Sequence, residues 1–369
     1  MRTIVVSAVN IRKGGTLTVL RECLEYLSGL AGKFRVVALV HDRSLCEYTG
    51  VEYVEMPWCT RSWFHRLWAE YVTMHGLSRT LVPEGEKVCL WLSLHDSTPR
   101  VEAEHQAVYC HTSFPFMKVH AVDFLMDAKI PLFALLTKYV YRMNVRRNDW
   151  LVVQQDWFRN ALSAVTGYTS GRIIVAPPAF RIPEYEAAVP ADGMPLFVYP
   201  STSDCHKNFE LVCRAADIAE RIAGKGKFRV VLTIDGTENR YSRRVFRKWG
   251  RVESVDFAGL MPHDRLFILY SEASCLIFPS RTESWGLPIS EFLPSGKPML
   301  LADLPYAHET AAGAAKVAFF DPENAEELAS LMLELISGNL SSLRPVPGTK
   351  PCAPQANDWD ALFKILLKE

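Results

Sequence analysis

No uninterrupted apolar run in this sequence approaches the ~20 residues that a membrane-spanning helix requires, so no spanning helix is expected. Net charge is also lacking. The 41 Lys and Arg balance 41 Asp and Glu, so no global field draws the chain to nucleic acid. Nine cysteines are scattered without C-x-x-C pairs or zinc-like Cys/His spacing. An odd number of dispersed thiols fits a reducing cytosol better than a disulfide framework. The first strand is expected from Thr3, which leaves no room for a signal peptide, and a cytoplasmic location is expected. Internal repeats and low-complexity tracts are missing. What remains is ordinary for a globular protein, with 49% hydrophobic and 22% charged residues. A chain of 369 residues exceeds one typical core, so two domains are expected.

Short apolar, β-branched runs alternate with helical patterns. Strands are expected at Thr3–Val9, Phe34–Val40, Val51–Met56, Lys87–Leu94, Ala107–Thr112, Trp150–Gln154 and Ile173–Ala176. Helices are expected at Leu17–Leu30, Trp63–Leu81 and Pro131–Met143. Strands apolar almost throughout are covered on both faces, which predicts an α/β fold with a mostly parallel sheet. Ala176–Pro195 then holds five prolines and little periodicity, as a linker does. After it the alternation restarts, with strands at Leu196–Tyr199, Phe228–Ile234, Ser254–Ala258, Ala273–Phe278, Pro298–Ala302 and Lys316–Phe320. The expected division is a first domain at 1–178, a linker at 179–195 and a second domain at 196–350.

The most informative stretch is Phe278-Pro-Ser-Arg-Thr-Glu-Ser-Trp-Gly-Leu-Pro-Ile-Ser-Glu291, which follows an apolar strand and leads into a helix. Glu283 and Glu291 flank that turn, and Gly286 between them carries no side chain to keep a ligand from the backbone. The helix start after Gly286, in a helix expected at Pro288–Pro294, offers unpaired N–H groups that suit a phosphate. Ionised carboxylates only accept hydrogen bonds, so they suit hydroxyl-rich groups. Phosphate plus hydroxyls describes a nucleotide sugar. Two solvated helix-end carboxylates are the competing reading.

This pattern resembles the E-x7-E signature of retaining GT-B glycosyltransferases, the glycogen-synthase-like and mannosyltransferase-like superfamily. The resemblance implies two Rossmann-like domains with an interdomain cleft. It also implies that the first domain binds the acceptor, the second binds the nucleotide sugar, and the last helix, 358–369, crosses back to the first domain. Asn10-Ile-Arg-Lys-Gly-Gly-Thr16 is not G-x-G-x-x-G, so it does not meet a dinucleotide fingerprint. In the resembled family Gly14 and Gly15 occupy the loop that contacts donor phosphate or acceptor; a plain tight turn is the alternative. His111 ends a strand and, by resemblance, orients the transferred sugar, against the reading of a buried structural histidine. Val198-Tyr-Pro-Ser-Thr-Ser-Asp-Cys-His-Lys207 matches a segment where the family places an Arg and, six residues on, a Lys. Lys207 matches the Lys, but Ser201 stands where the Arg is expected. A guanidinium lost there removes a bidentate phosphate partner, which Arg281 or His206 would have to replace.

The resemblance therefore implies a retaining hexosyltransferase using a nucleoside-diphosphate sugar, GDP-mannose or similar, in surface-polysaccharide or lipopolysaccharide synthesis. Its acceptor would be a glycan or lipid-linked glycan. Lys207, Gly14, Gly15, Gly286 and Leu287 would hold the diphosphate, Glu291 the ribose, and Glu283 and His111 the hexose. No metal or other cofactor is expected. Asp358-Trp-Asp360 imitates a metal-binding D-x-D but precedes a short helix, where capping is the better reading. Two rivals are a nucleotide-sugar epimerase of the same fold and a non-catalytic nucleotide-sugar-binding partner subunit. Finally, Trp58–Trp68 interleaves aromatic and basic residues, and Lys138, Arg142, Arg146 and Arg147 form a second basic stretch. The preferred reading of the first is a core-facing aromatic helix with solvated arginines. Contact with anionic lipid, at the inner face of a membrane, is the alternative.

Overall fold

The computed structural model describes residues 1–121, 123–124, 129–178, 182–183, 185 and 193–368. Most of the expected linker at 179–195 lies outside the described residues. The chain forms two compact units: Met1–Ser113 with Leu136–Phe180 and Pro351–Glu369, and Phe114–Leu135 with Arg181–Lys350. Residues 114–135 thus cluster with the second unit, which a single cut after residue 178 does not anticipate.

In the first unit seven parallel strands run in the order β3-β2-β1-β4-β5-β6-β7. They are β1 (Arg2–Ala8), β2 (Phe34–Val40), β3 (Val51–Glu55), β4 (Val88–Ser93), β5 (Ala103–Tyr109), β6 (Trp150–Val153) and β7 (Ile173–Val175). The alternation of β1 divides its side chains between two cores. Ile4, Val6 and Ala8 pack with the helices Gly15–Ser28 and Trp359–Leu367, whereas Val5 and Val9 pack with Met56, Met74 and Trp91 on the other face. Both faces are covered, which is why the inner strands β1, β2 and β4 are largely apolar. The helix Trp359–Leu367 buries Leu362, Phe363 and Leu366 in the first of these cores. Asp358 caps it, accepting from the Ala361 N–H at 2.7 Å, while Asp360 pairs with Lys364 at 2.5 Å.

In the second unit six parallel strands run β10-β9-β8-β11-β12-β13. They are β8 (Leu196–Tyr199), β9 (Arg229–Leu232), β10 (Val255–Phe257), β11 (Cys275–Phe278), β12 (Met299–Ala302) and β13 (Val317–Phe320). Each sheet reverses direction once, between β1 and β4 in the first and between β8 and β11 in the second. In open parallel sheets such reversal points open a crevice beyond the strand ends, where ligands bind.

The structure departs from sequence expectation at two helices. Asp156–Thr166, closed by Gly167 at φ 67°, was hidden behind the preceding strand, because Gln155 makes no side-chain cap to announce it. The segment from Trp63 to Thr80 is helical but carries a π-helical stretch at Ala69–Thr73. That stretch accompanies an inversion of the expected faces. Trp63, Phe64 and Trp68 are 58%, 70% and 51% exposed, while Arg66 is 9% exposed. The preferred reading of a core-facing aromatic helix with solvated arginines is therefore overturned for this helix. A buried carboxylate is the physical reason. Glu70, 1% exposed, accepts from the Arg66 guanidinium and from the Ser97 hydroxyl at 2.6 Å. Ser97 in turn lies 3.1 Å from His95 Nδ1, and His95 Nε2 lies 2.7 Å from the Ser7 hydroxyl. Burial, reinforced by Arg66, holds the His95 imidazole well below its ordinary pKa, which favours the neutral ring.

Among the described residues no helix is long and apolar enough to cross a membrane.

Candidate functional site

In the second unit Lys207 follows β8 and Glu283 follows β11, the two strands at the reversal point. Their side chains meet: Lys207 Nζ donates to Glu283 Oε1 at 2.5 Å, and the two side chains are 14% and 15% exposed. Lys207 closes a short 3-10 turn, Cys205–Lys207, ahead of the helix Phe209–Ala223. Three contacts fix the peptides around it. The Arg281 N–H donates to the His206 carbonyl at 2.8 Å. The buried Tyr199 hydroxyl donates to the Lys207 carbonyl at 2.6 Å. Asn208, at φ 62°, donates its amide to the Pro322 carbonyl at 2.7 Å. These bonds fix the backbone from which Lys207 projects, and its ammonium group is held in turn by Glu283.

Glu291 stands apart from this pair. It lies in the helix Leu287–Phe292, accepts from the Tyr270 hydroxyl at 2.9 Å and has His263 Nε2 at 3.4 Å. The Tyr185 hydroxyl donates to its backbone carbonyl at 2.8 Å. Glu283 and Glu291 thus face different partners.

Gly286 is required for a reason other than open access. Its φ is 94°, and a Cβ there would meet Ile289 at 3.3 Å, Phe278 at 3.5 Å and Tyr306 at 3.6 Å. Those neighbours are core side chains, so the missing side chain serves the turn and its packing. Leu287, half-buried, begins a helix of only six residues, so any help to an anion comes from local N–H groups more than from a dipole. Gly286→Ala is expected to destabilise the second unit by about 1–3 kcal/mol, read as a lower urea midpoint at unchanged slope. An unchanged midpoint would show that the turn tolerates a side chain.

Ser201 is tied to the sheet through its main chain. Its N–H donates to Thr233 Oγ1 and its carbonyl accepts from the same hydroxyl, both at 2.8 Å, so β8 and β9 are tied at this point. His206, 7% exposed, is held well below its ordinary pKa by burial first, then by Lys207 and Arg281. It is a neutral imidazole and does not replace a guanidinium.

In the first unit Gly14 and Gly15 follow β1, and His111 follows β5. Gly14 has φ 73° and is exposed; a Cβ there would meet nothing within 4 Å. The helix Gly15–Ser28 has no side-chain cap and no acidic residue in its first turn, so no side chain competes for its leading N–H groups. His111 is 9% exposed, its ring stacks on Tyr109 at 4.5 Å, and its Nε2 has no hydrogen-bond partner among the described residues. Burial lowers its pKa against the opposing charge of Asp96, which favours the neutral ring.

Asp96 is the residue that sequence reading missed. It follows β4, adopts φ 69°, and accepts from the His111 N–H at 2.6 Å and the Thr112 N–H at 2.9 Å. The Thr112 and Tyr141 hydroxyls donate to it at 2.8 and 2.9 Å. Four donors hold one carboxylate at a strand end, and that carboxylate fixes the backbone from which His111 projects. His95-Asp96-Ser97 has no glycine or spacing signal to reveal this.

Residues 183–347 match a family model described as glycosyl transferases, group 1. The O-antigen chain mannosyltransferase RfbU of Salmonella typhimurium is 30% identical over 89 residues, which cover 24% of this chain and 25% of that protein. The alignment therefore spans a quarter of that relative's length. Among solved structures, HepE of Anabaena in complex with UDP-glucose superposes at a TM-score of 0.64, with 13% identity over 93% of this chain and 92% of that one. Sucrose-phosphate synthase of Thermosynechococcus elongatus superposes at 0.63, with 15% identity over 91% and 90%. The chain has the GT-B fold, two parallel-sheet α/β domains.

Proposed function

We propose that this chain, GT-B in fold and matching the group 1 glycosyl transferases in its second unit, is a retaining glycosyltransferase. It moves a hexose, mannose in the first instance, from a nucleoside-diphosphate sugar to a glycan or lipid-linked glycan acceptor in surface-polysaccharide synthesis. The observation that carries this reading is the Lys207–Glu283 pair at the reversal point of the second sheet, on a backbone hydrogen bonded on both sides. The RfbU and HepE likenesses support the substrate class: the first is named a mannosyltransferase, and the second was solved with UDP-glucose.

In this scheme Lys207 stabilises the negative charge that develops on the diphosphate as the glycosidic bond breaks. Glu283, already within hydrogen-bond reach of Lys207, orients the hexose hydroxyls by accepting from them. Neutral His111 uses its unpartnered Nε2 on the sugar, and Glu291 accepts from the ribose. The acceptor hydroxyl attacks on the face the nucleotide leaves, and the departing phosphate oxygen takes its proton. The scheme uses no metal. A thermal-shift panel of GDP-, UDP- and dTDP-sugars tests the reading, since a ligand that binds only the folded form raises its melting temperature. At least one donor is expected to do so; a flat panel would overturn the proposal.

Ser201 favours a second reading, a non-catalytic subunit that binds the donor for a partner transferase, because the cation expected at that position is missing. Donor binding without transfer to any acceptor extract would select it.

The proposal includes a peripheral position at the inner face of a membrane. The exposed Trp63, Phe64, Leu67, Trp68 and Val72 share one helical segment, with Arg61 exposed just ahead of it. Aromatic side chains beside cations favour the interface of an anionic bilayer. The protein is expected to float with phosphatidylglycerol-containing vesicles, and Trp63→Ser with Phe64→Ser and Trp68→Ser to abolish this. Wild-type protein that stays in the pellet fraction would refute the membrane position.

A further inference from the structure

Among the described residues of the second unit, two cations close to the reversal point are each loaded with a carboxylate. Lys207 holds Glu283. Arg281, two residues before Glu283, holds Asp123: its Nη1 donates to Oδ1 at 2.7 Å, with side chains 11% and 1% exposed. Its other Nη lies 3.6 Å from Glu210 and 3.4 Å from the Cys205 carbonyl. Its Nε is buried without a hydrogen-bond partner among the described residues. The guanidinium therefore has donor capacity to spare, and its backbone is hydrogen bonded to His206, the neighbour of Lys207.

Asp123 is not part of the sheet that carries Arg281. It belongs to the segment from Phe114, which groups with the second unit. Phe114 meets the His206 ring edge-on at 4.8 Å. Lys118 and His120 each lie 3.0 Å from Glu323. Asp123 closes a turn by accepting from the His120 N–H at 2.8 Å. A carboxylate on such a strap is a natural competitor of phosphate, because both offer acceptor oxygens to the planar fork of a guanidinium.

We infer that Arg281 is the second cation for the donor diphosphate, standing in for the arginine that Ser201 lacks, and that Asp123 occupies it until the diphosphate takes its place. Donor binding thus exchanges an internal ion pair for a phosphate contact and releases Asp123 together with residues 114–121 ahead of it. The inference rests on the reading that this unit binds a nucleoside-diphosphate sugar. It adds a residue and a latch to that reading. The exchange is balanced in charge: one carboxylate leaves the guanidinium and one phosphate oxygen takes its place. Arg281 remains charged throughout. Burying a charge without a partner is costly, so the strap carrying Asp123 must move toward water as the exchange occurs.

The test is calorimetric titration of GDP, UDP, GMP and UMP into the full chain as wild type, Asp123→Asn, Arg281→Gln and Arg281→Lys, each with its ligand-free melting temperature. Asp123→Asn is expected to tighten diphosphate binding about tenfold while leaving monophosphate binding nearly unchanged, because only the competitor is removed. Arg281→Gln is expected to erase most of the preference for diphosphate over monophosphate, and Arg281→Lys to keep part of it. Hydrogen exchange of residues 114–121 is expected to quicken on adding the better diphosphate. A structural staple would behave differently. Both Asp123→Asn and Arg281→Gln would then lower the melting temperature and leave the diphosphate-to-monophosphate ratio as in wild type, which would overturn the assignment. Slower exchange of the strap on binding would overturn the latch. Wild-type protein that binds no nucleotide would overturn the functional reading itself, and this inference with it.

Discussion

Lys207→Ala is expected to lower kcat by about 10²–10³-fold, with a much smaller change in donor affinity, if the ammonium group stabilises charge that appears mainly as the glycosidic bond breaks. The expectation follows from how the residue is held. The Tyr199 hydroxyl fixes its carbonyl, the Arg281 N–H fixes the preceding one and Glu283 holds the ammonium group, so the cation is placed before substrate arrives. Lys207→Arg is not expected to restore activity. A planar fork does not reproduce a compact ammonium in a position defined by a 2.5 Å contact to Glu283. Glu291→Ala should show the opposite split, with weaker donor binding and a kcat changed less, because its carboxylate lies with Tyr270 and His263 rather than with the Lys207 pair. Initial-rate kinetics across donor concentrations separate the two patterns. Wild-type kinetics in both variants would end the assignment of these residues to a donor site.

Arg66→Ala is expected to be the most damaging single change to stability in the first unit. It leaves Glu70, 1% exposed, without its guanidinium partner. Removing one partner of a buried ion pair typically costs about 3–5 kcal/mol. For a unit of this size that corresponds to a fall of about 6–20 °C in Tm. The double variant Arg66→Met with Glu70→Gln should recover much of the loss, because it removes the stranded charge while keeping an acceptor for the Ser97 hydroxyl. Calorimetry of the single and double variants checks this. A single variant within 1 °C of wild type would show that water reaches Glu70 and that the network carries little stability.

The helix bearing Arg66 also shows where sequence periodicity stops being informative. Trp63, Phe64 and Trp68 have the composition of a buried face, and Arg66 that of a solvated one, yet each lies on the opposite side. The Arg66–Glu70 pair is local, at i,i+4, but what buries it is not: Ser97, which donates to Glu70, lies beyond β4 in sequence. Gly286 makes a related point. Its place between two glutamates is plain in the sequence, but whether its missing Cβ faces a ligand or Phe278 and Tyr306 depends on packing. Asp96 was silent altogether, since an aspartate in a left-handed conformation carries no spacing signature.

Elsewhere the sequence was a sufficient guide. Every expected strand is present, from β1 to β13, with ends shifted by a few residues, because continuous apolar runs bounded by polar turns fix a strand's position strongly. The same local chemistry placed Lys207 after β8 and Glu283 after β11.

Local pattern alone determined the elements, their alternation and the loops that carry the charged residues, since those depend on side-chain period and turn chemistry within a few residues. Tertiary structure alone decided which charges meet. Strands β8 and β11 are adjacent in the sheet although 75 residues separate Tyr199 from Cys275. That adjacency brings Lys207 to Glu283, while Arg281 is taken by Asp123 and Glu291 by Tyr270. Ion pairing acts over a few ångströms of space and is indifferent to distance along the chain, so only the folded chain selects the partners.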